Sequence, residues 1–139
     1  MKTKHIFASA LLLLGCQVCL AGSPAAEGAK AYIISPQDGD TVTSPVTVRF
    51  GLSGMGIAPA GFDRTGTGHH HLLIDVDKLP DPALPVPADE HHRHFGGGQT
   101  ETTVELEPGE HSLQLLLGDW KHVPHEPAVT SDKIIITVY

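Results

Sequence analysis

The sequence predicts an all-β fold, an immunoglobulin-like antiparallel β-sandwich with long histidine-bearing loops, and three features carry that prediction. Val46, Val48, Phe50 and Leu52 alternate with Thr47, Arg49, Gly51 and Ser53, the period-two pattern of a strand with one buried face. Short β-prone runs recur, about six of them, separated by clusters of Pro, Gly and Asp that suit turns better than ladders. No segment offers a long apolar stripe at helical spacing, so apolar surface has to be buried sheet against sheet.

Residues 1–21 stand apart from that fold as an export signal. Lys2 and Lys4 form a basic start, Ile6 to Leu14 an apolar run, and a small-residue cleavage site follows. The run is shorter than the roughly twenty apolar residues a membrane helix needs, and nothing later approaches that length, so no transmembrane helix is expected. Two processing sites compete. Cys19-Leu20-Ala21 suits a cut after Ala21, leaving a periplasmic or secreted protein, whereas Leu13-Leu14-Gly15-Cys16 resembles a lipobox and would make an outer-membrane lipoprotein anchored at Cys16. Leu14 is bulkier than the residue usual before a lipobox glycine, which places the first ahead. No cysteine lies beyond Cys19, so a cut after Ala21 removes disulfides, thiol nucleophiles and thiolate metal sites together.

Residues 22–30 have the composition of a flexible tether, and 31–139 read as a single domain long enough to hold its own core. Ala31 to Ile34 is a short strand, Ser35 to Asp40 a turn, and Val46 to Ser53 the alternating strand. Residues 54–68, with five glycines and Pro59, read as a long loop. Strand character resumes over His69 to Val76. Pro80, Pro82, Pro85 and Pro87 exclude 78–90 from a central strand, because proline gives no ladder donor. Thr100 to Leu106 and His111 to Leu117 are strands around Glu107-Pro108-Gly109-Glu110, whose Pro and Gly predict a hairpin. An irregular stretch over 119–132 precedes a β-branched terminal strand, Lys133 to Tyr139.

Without Lys2 and Lys4 the chain has seven basic against sixteen acidic side chains, a net of −9 with histidine neutral. Nucleic acid and anionic membrane need clustered Lys and Arg, so both are excluded as expected partners. A cation is compatible with that balance.

Eight of the nine histidines after residue 21 fall into three blocks, around 69–71, 91–94 and 122–125. Residues two apart on a strand share a face, so His69 with His71, and His92 with His94, can each present two imidazoles to one ion. His122 and His125 straddle Pro124 on a turn. These six are the expected ligand pool, with Asp119, Glu90 and Glu126 as neighbouring oxygen ligands or acceptors that fix a histidine tautomer. Neutral imidazole binds zinc, copper and nickel, while cuprous ion prefers sulfur, of which only Met55 remains. Zn²⁺ or Cu²⁺ is therefore the expected ion, with nickel a third choice.

Blander readings stand beside these. His70 shares a face with Leu72, Ile74 and Val76 and is either a hydrogen-bonded core residue or a ligand, and His91 is left open. His111, on the face of Leu113, Leu115 and Leu117, is read as structural. Gly96-Gly97-Gly98 is read as a close approach of backbone to the site or a bulge, since no helix follows to make a phosphate loop. Trp120 is read as a hydrophobic plug ahead of a ligand platform. Ser112 and Ser131 sit in no nucleophile signature.

Gly-His-His-His-Leu-Leu-Ile-Asp (68–75), His-Phe-Gly-Gly-Gly-Gln-Thr-Glu (94–101), Pro-Gly-Glu-His-Ser-Leu-Gln-Leu-Leu-Leu-Gly-Asp (108–119) and His-Val-Pro-His (122–125) resemble the bacterial exported domain-of-unknown-function family numbered four-three-nine-nine. The resemblance covers roughly Gly68 to Tyr139. It implies a small exported protein and no particular activity. Ile34 to Val48 resembles the opening strands of extracellular immunoglobulin-like modules.

The expected function is thus binding of a divalent transition metal by an exported protein, ahead of catalysis. Two alternatives stay open: a non-catalytic envelope interaction module with structural histidines, and a metal-dependent enzyme on the same scaffold, in which three histidines leave a coordination position free.

Overall fold

The computed structural model describes residues 22–139, so the expected export signal, with Cys16 and Ala21, lies outside the described residues. Nine strands follow in order: β1 (Lys30–Ser35), β2 (Thr41–Val42), β3 (Val46–Ser53), β4 (Gly56–Ile57), β5 (Thr67–Ile74), β6 (His92–His94), β7 (Glu101–Val104), β8 (Gly109–Gly118) and β9 (Ile134–Val138). No helix occurs among the described residues, and none is long and apolar enough to cross a membrane.

The strands form two sheets, bearing out the all-β sandwich. β1, β3 and β7 make an antiparallel sheet in the order β1-β3-β7. The larger sheet runs β2-β9-β8-β5, and the free edge of β5 is shared by β4 and then β6. Two short ladders, β2 with β9 and β4 with β5, are parallel, and the others are antiparallel.

Alternation decides what lies between the sheets. Ala31, Val46, Val48, Phe50 and Val104 from the smaller sheet meet Leu72, Ile74, Leu113, Leu115, Leu117, Ile134, Ile136 and Val138 from the larger one. Each Val, Leu, Ile or Phe among them contributes about 1.5–3 kcal/mol when fully buried. β5 is buried on both faces. His70, Leu72 and Ile74 point inward, while His69, His71 and Leu73 point outward, where Leu73 packs with Leu116 and Val86 in a separate cluster. The proline-rich connection supplies Val86, and its N–H donates to the His122 carbonyl at 2.8 Å, so this connection roofs the outer face of the large sheet.

Three expectations are corrected. The hairpin around Glu107 to Glu110 does not form: β7 pairs with β3 in the smaller sheet, β8 with β5 and β9 in the larger. Leu106 packs against the core and its N–H donates to Ser44 Oγ at 3.0 Å, which holds the incoming chain on the β3 side while β8 crosses over. The tether is not free. Ser23 gives its N–H and hydroxyl to Asp119 Oδ2 at 3.0 and 2.9 Å, and the Ala25 N–H donates to the Glu126 carbonyl at 2.9 Å, so residues 23–25 lie along 119–126. The loop 54–68 contains β4, which pairs with Thr67 and Gly68.

Candidate metal centre

The outward parity of β5 places His69 and His71 side by side, 0% and 1% exposed, beneath the covering loops. The β5–β6 register then sets His94 directly opposite His71. His122 arrives from the connection after β8, and Asp119 builds the turn that carries it. Asp119 Oδ1 accepts the N–H groups of Lys121 and Val123 at 2.9 and 3.0 Å, and its carbonyl accepts the His122 N–H at 2.8 Å. His122 is held at φ 69°, a left-handed conformation costly for a side chain with a β-carbon.

The four imidazoles converge. Ring centroids lie 4.9 Å apart for His69 and His71, 5.0 Å for His69 and His94, and 4.7 Å for His94 and His122. His69 Nε2 is 3.2 Å from His122 Nδ1, and each ring offers a nitrogen within 4.8 Å of the other three. A tetrahedral ion with 2.0–2.1 Å bonds wants donor atoms about 3.3 Å apart, so the His69–His122 edge already matches, and a pair at the 4.8 Å limit would close by about 1.5 Å on loading.

Burial and the neighbouring imidazoles disfavour the charged form of His69, His71 and His94. Burial, with the neighbouring imidazoles His94 and His122 adding to it, pushes His69 down to about 4 against a small opposing pull from Asp119. Burial and then His69, His94 and His122 push His71 down to about 3. His94 is lowered more gently by partial burial and by His122. Neutral imidazoles present lone pairs, which is what a metal ion needs. Burial raises the Asp119 carboxyl, but the bonds from Lys121, Ser23 and Val123 outweigh it and hold the group below its usual range, as an anion.

The site has a closed back and an open front. His69 and His71 are sealed, His122 is half-buried and His94 exposed, and a cavity of about 170 Å³ lined by His71, Pro85, Val86, Ala88, His94 and His122 lies in front. The Nδ1 atoms of His69 and His71 are buried with no hydrogen-bond partner among the described residues.

The family model described as Domain of unknown function (DUF4399) matches residues 48–139, a span that includes all four rings. The chain belongs to this family. No curated protein and no solved structure matches it. The resemblance drawn from the histidine, triple-glycine and His-Val-Pro-His motifs therefore holds, and the DUF4399 domain can be read through its own geometry.

Glycine supplies the room in this DUF4399 site. A β-carbon on Gly118 would stand 2.6 Å from Cε1 of His71, and one on Gly96 would overlap the His94 ring, so the triple glycine does serve a close approach of backbone to a histidine. Gly118 is a contributor that its sequence context did not single out.

Of the six expected ligands, the structure brings four together. His92 instead gives its Nδ1–H to Asp89 Oδ1 at 2.8 Å. His125, 1% exposed, donates from Nε2 to the Thr67 carbonyl at 3.1 Å, with Nδ1 3.4 Å from the Leu117 carbonyl. Its role is to tie 119–126 to β5. His111 bonds to Asp75 Oδ2 and the Glu107 carbonyl, both at 2.8 Å, as a structural residue would. His91 Nδ1 lies 2.9 Å from the Ile74 carbonyl, and Glu90 reaches only His91, at 3.7 Å. His70 is in the core against Phe50, but neither ring nitrogen has a partner among the described residues, contrary to a hydrogen-bonded core histidine. Trp120 is half-buried, with Lys121 Nζ 5.2 Å from its ring centre.

Proposed function

We propose that this protein binds one divalent transition-metal ion, Zn²⁺ or Cu²⁺, through His69, His71, His94 and His122, and does so as an exported periplasmic protein released by a cut after Ala21. The observation that carries the reading is the set of four imidazole nitrogens within 4.8 Å, two of them from fully buried rings. Crowding four imidazoles together with two of the rings sealed from water is costly by itself, and an ion gives the four converging nitrogens one shared partner. The donor set is nitrogen only, because Met55 packs against the core, so it suits zinc or cupric ion rather than a sulfur-seeking cuprous ion.

The test is metal analysis of untagged protein from the periplasm, followed by titration with Zn²⁺ and Cu²⁺. One equivalent is expected, lost in the double variant His69→Ala, His71→Ala. Protein that arrives without metal and takes up none on titration would overturn the reading and leave the histidines as loop anchors. The mass of the mature chain tests the cut, since lipidation at Cys16 gives a heavier product.

A further inference from the structure

A second histidine–carboxylate pair lies on the same face as the four-histidine set, one step along the sheet. His92 sits opposite Leu73 in the β5–β6 ladder while His94 sits opposite His71, so His92 and His94 project to the same side. Residues two apart on a strand are separated by about 6.5–7 Å. Asp89 Oδ1 accepts the backbone N–H of His91 and of His92, each at 2.9 Å, and the His92 Nδ1–H at 2.8 Å. A carboxylate on Nδ1 fixes the tautomer, leaving the Nε2 lone pair for an external ligand, the arrangement in which histidines meet metal ions.

The surroundings connect this pair to the site. A groove of about 640 Å³, whose charged lining is Asp89, Arg93 and Glu105, is also lined by His92 and His94. His94 and Ala88 line both that groove and the smaller cavity in front of His71 and His122. His94, the most exposed of the four histidines, therefore borders both spaces. The His92 side chain is 16% exposed, so it is reachable without being free to wander.

We propose that His92, held by Asp89, is the entry ligand through which a divalent transition-metal ion reaches the four-histidine set, captured from the groove and passed to His94. The proposal rests on the metal-binding reading above. An entry ligand acts on rates: it speeds loading and unloading alike and leaves the equilibrium alone, because the resident ion is held by other residues. The Asp89 carboxylate adds attraction for the incoming cation.

The experiment mixes Cu²⁺ rapidly with the wild-type chain, with His92→Ala and with Asp89→Asn, following quenching of Trp120, the only tryptophan, two residues from His122. Asn at 89 still accepts the two backbone N–H groups through its own Oδ1, so the turn persists in that variant. All three proteins are expected to take up one equivalent with the same equilibrium affinity, while both variants load roughly tenfold more slowly and release to a chelator more slowly by the same factor. Unchanged rates in both variants overturn the proposal and leave the four-histidine site standing. Loss of the equivalent in His92→Ala overturns it differently, by making His92 a resident ligand. A wild-type chain that takes up no Cu²⁺ removes the metal-binding reading, and this proposal with it.

Discussion

The His71 ring rests on the α-carbon of Gly118, across the ladder that joins β5 to β8, and its Nδ1 would be 3.1 Å from a β-carbon placed there. The absence of one methyl group thus aims an imidazole. Gly118→Ala is expected to displace the ring, lowering affinity for Zn²⁺ or Cu²⁺ by at least about tenfold. The overpacked methyl costs about 1–3 kcal/mol of stability. Calorimetric titration and urea unfolding separate the two effects, and a variant with unchanged affinity would show that the ring's position is set elsewhere.

Asp119 joins the N-terminal segment to the turn that bears His122. Replacing it with Ala leaves the Ser23, Lys121 and Val123 donors without their carboxylate. Hydrogen bonds to a buried charged group contribute about 1.5–3 kcal/mol, so Asp119→Ala is expected to lower stability by at least that much. Metal affinity should fall as well, since His122 loses the turn that holds it. Both are read by denaturant titration with and without metal.

His70 offers the opposite outcome. It is fully buried beside Phe50 with both ring nitrogens unpartnered among the described residues, and burial pushes it down to about 4. Exchanging it for Leu removes a desolvated polar group and keeps apolar volume, so His70→Leu is expected to gain about 1–2 kcal/mol. Metal uptake should be unaltered, because this ring faces the core. A destabilised variant would indicate that the ring has a partner after all, such as a buried water.

Acid should weaken the fold in a defined window. For His69, His70 and His71 the folded values of about 4, 4 and 3 lie below the unfolded 6.5, so between those limits the unfolded chain binds more protons. Stability is then full above about pH 6.5 and falls as pH drops toward 4, by up to roughly 1.4 kcal/mol per pH unit for each ring. His111 works the other way. Burial lowers it, but Asp75 and the Glu107 carbonyl outweigh that and raise it, so its contribution is full below 6.5 and lost as pH rises through the folded value. Urea midpoints between pH 7.5 and 5 should therefore fall steeply, and less steeply in His70→Leu. A flat profile would contradict the burial of the three rings.

Much of this was legible in the sequence, and the rest depended on pairing. Alternation in Val46 to Ser53 gave β3, and parity alone put His69 and His71 on one face with His70 on the other. Parity treats His92 and His94 identically, however, and only the register on β5 sets one opposite His71 and the other opposite Leu73. Likewise His122 and His125 look equivalent on either side of Pro124. The Asp119 turn sends the first to the site, and the Thr67 carbonyl at the start of β5 engages the second. Pro108 and Gly109 carry turn chemistry, but turn chemistry is local and holds no information about which sheet the next strand joins. The segment 22–29 shows the same limit, since its small residues cannot disclose a buried carboxylate about a hundred positions away.

The large sheet separates an interior cluster, rich in Leu, Ile and Val, from a smaller outer one of Leu73, Leu116 and Val86 beside the four histidines. An ion held by His69, His71, His94 and His122 would clasp that outer layer to the sheet. Amide hydrogens of 119–123 and 85–88 should then exchange with solvent slowly in the loaded protein and rapidly once a chelator strips it, while those of β8 and β9 wait in both cases for the whole molecule to open.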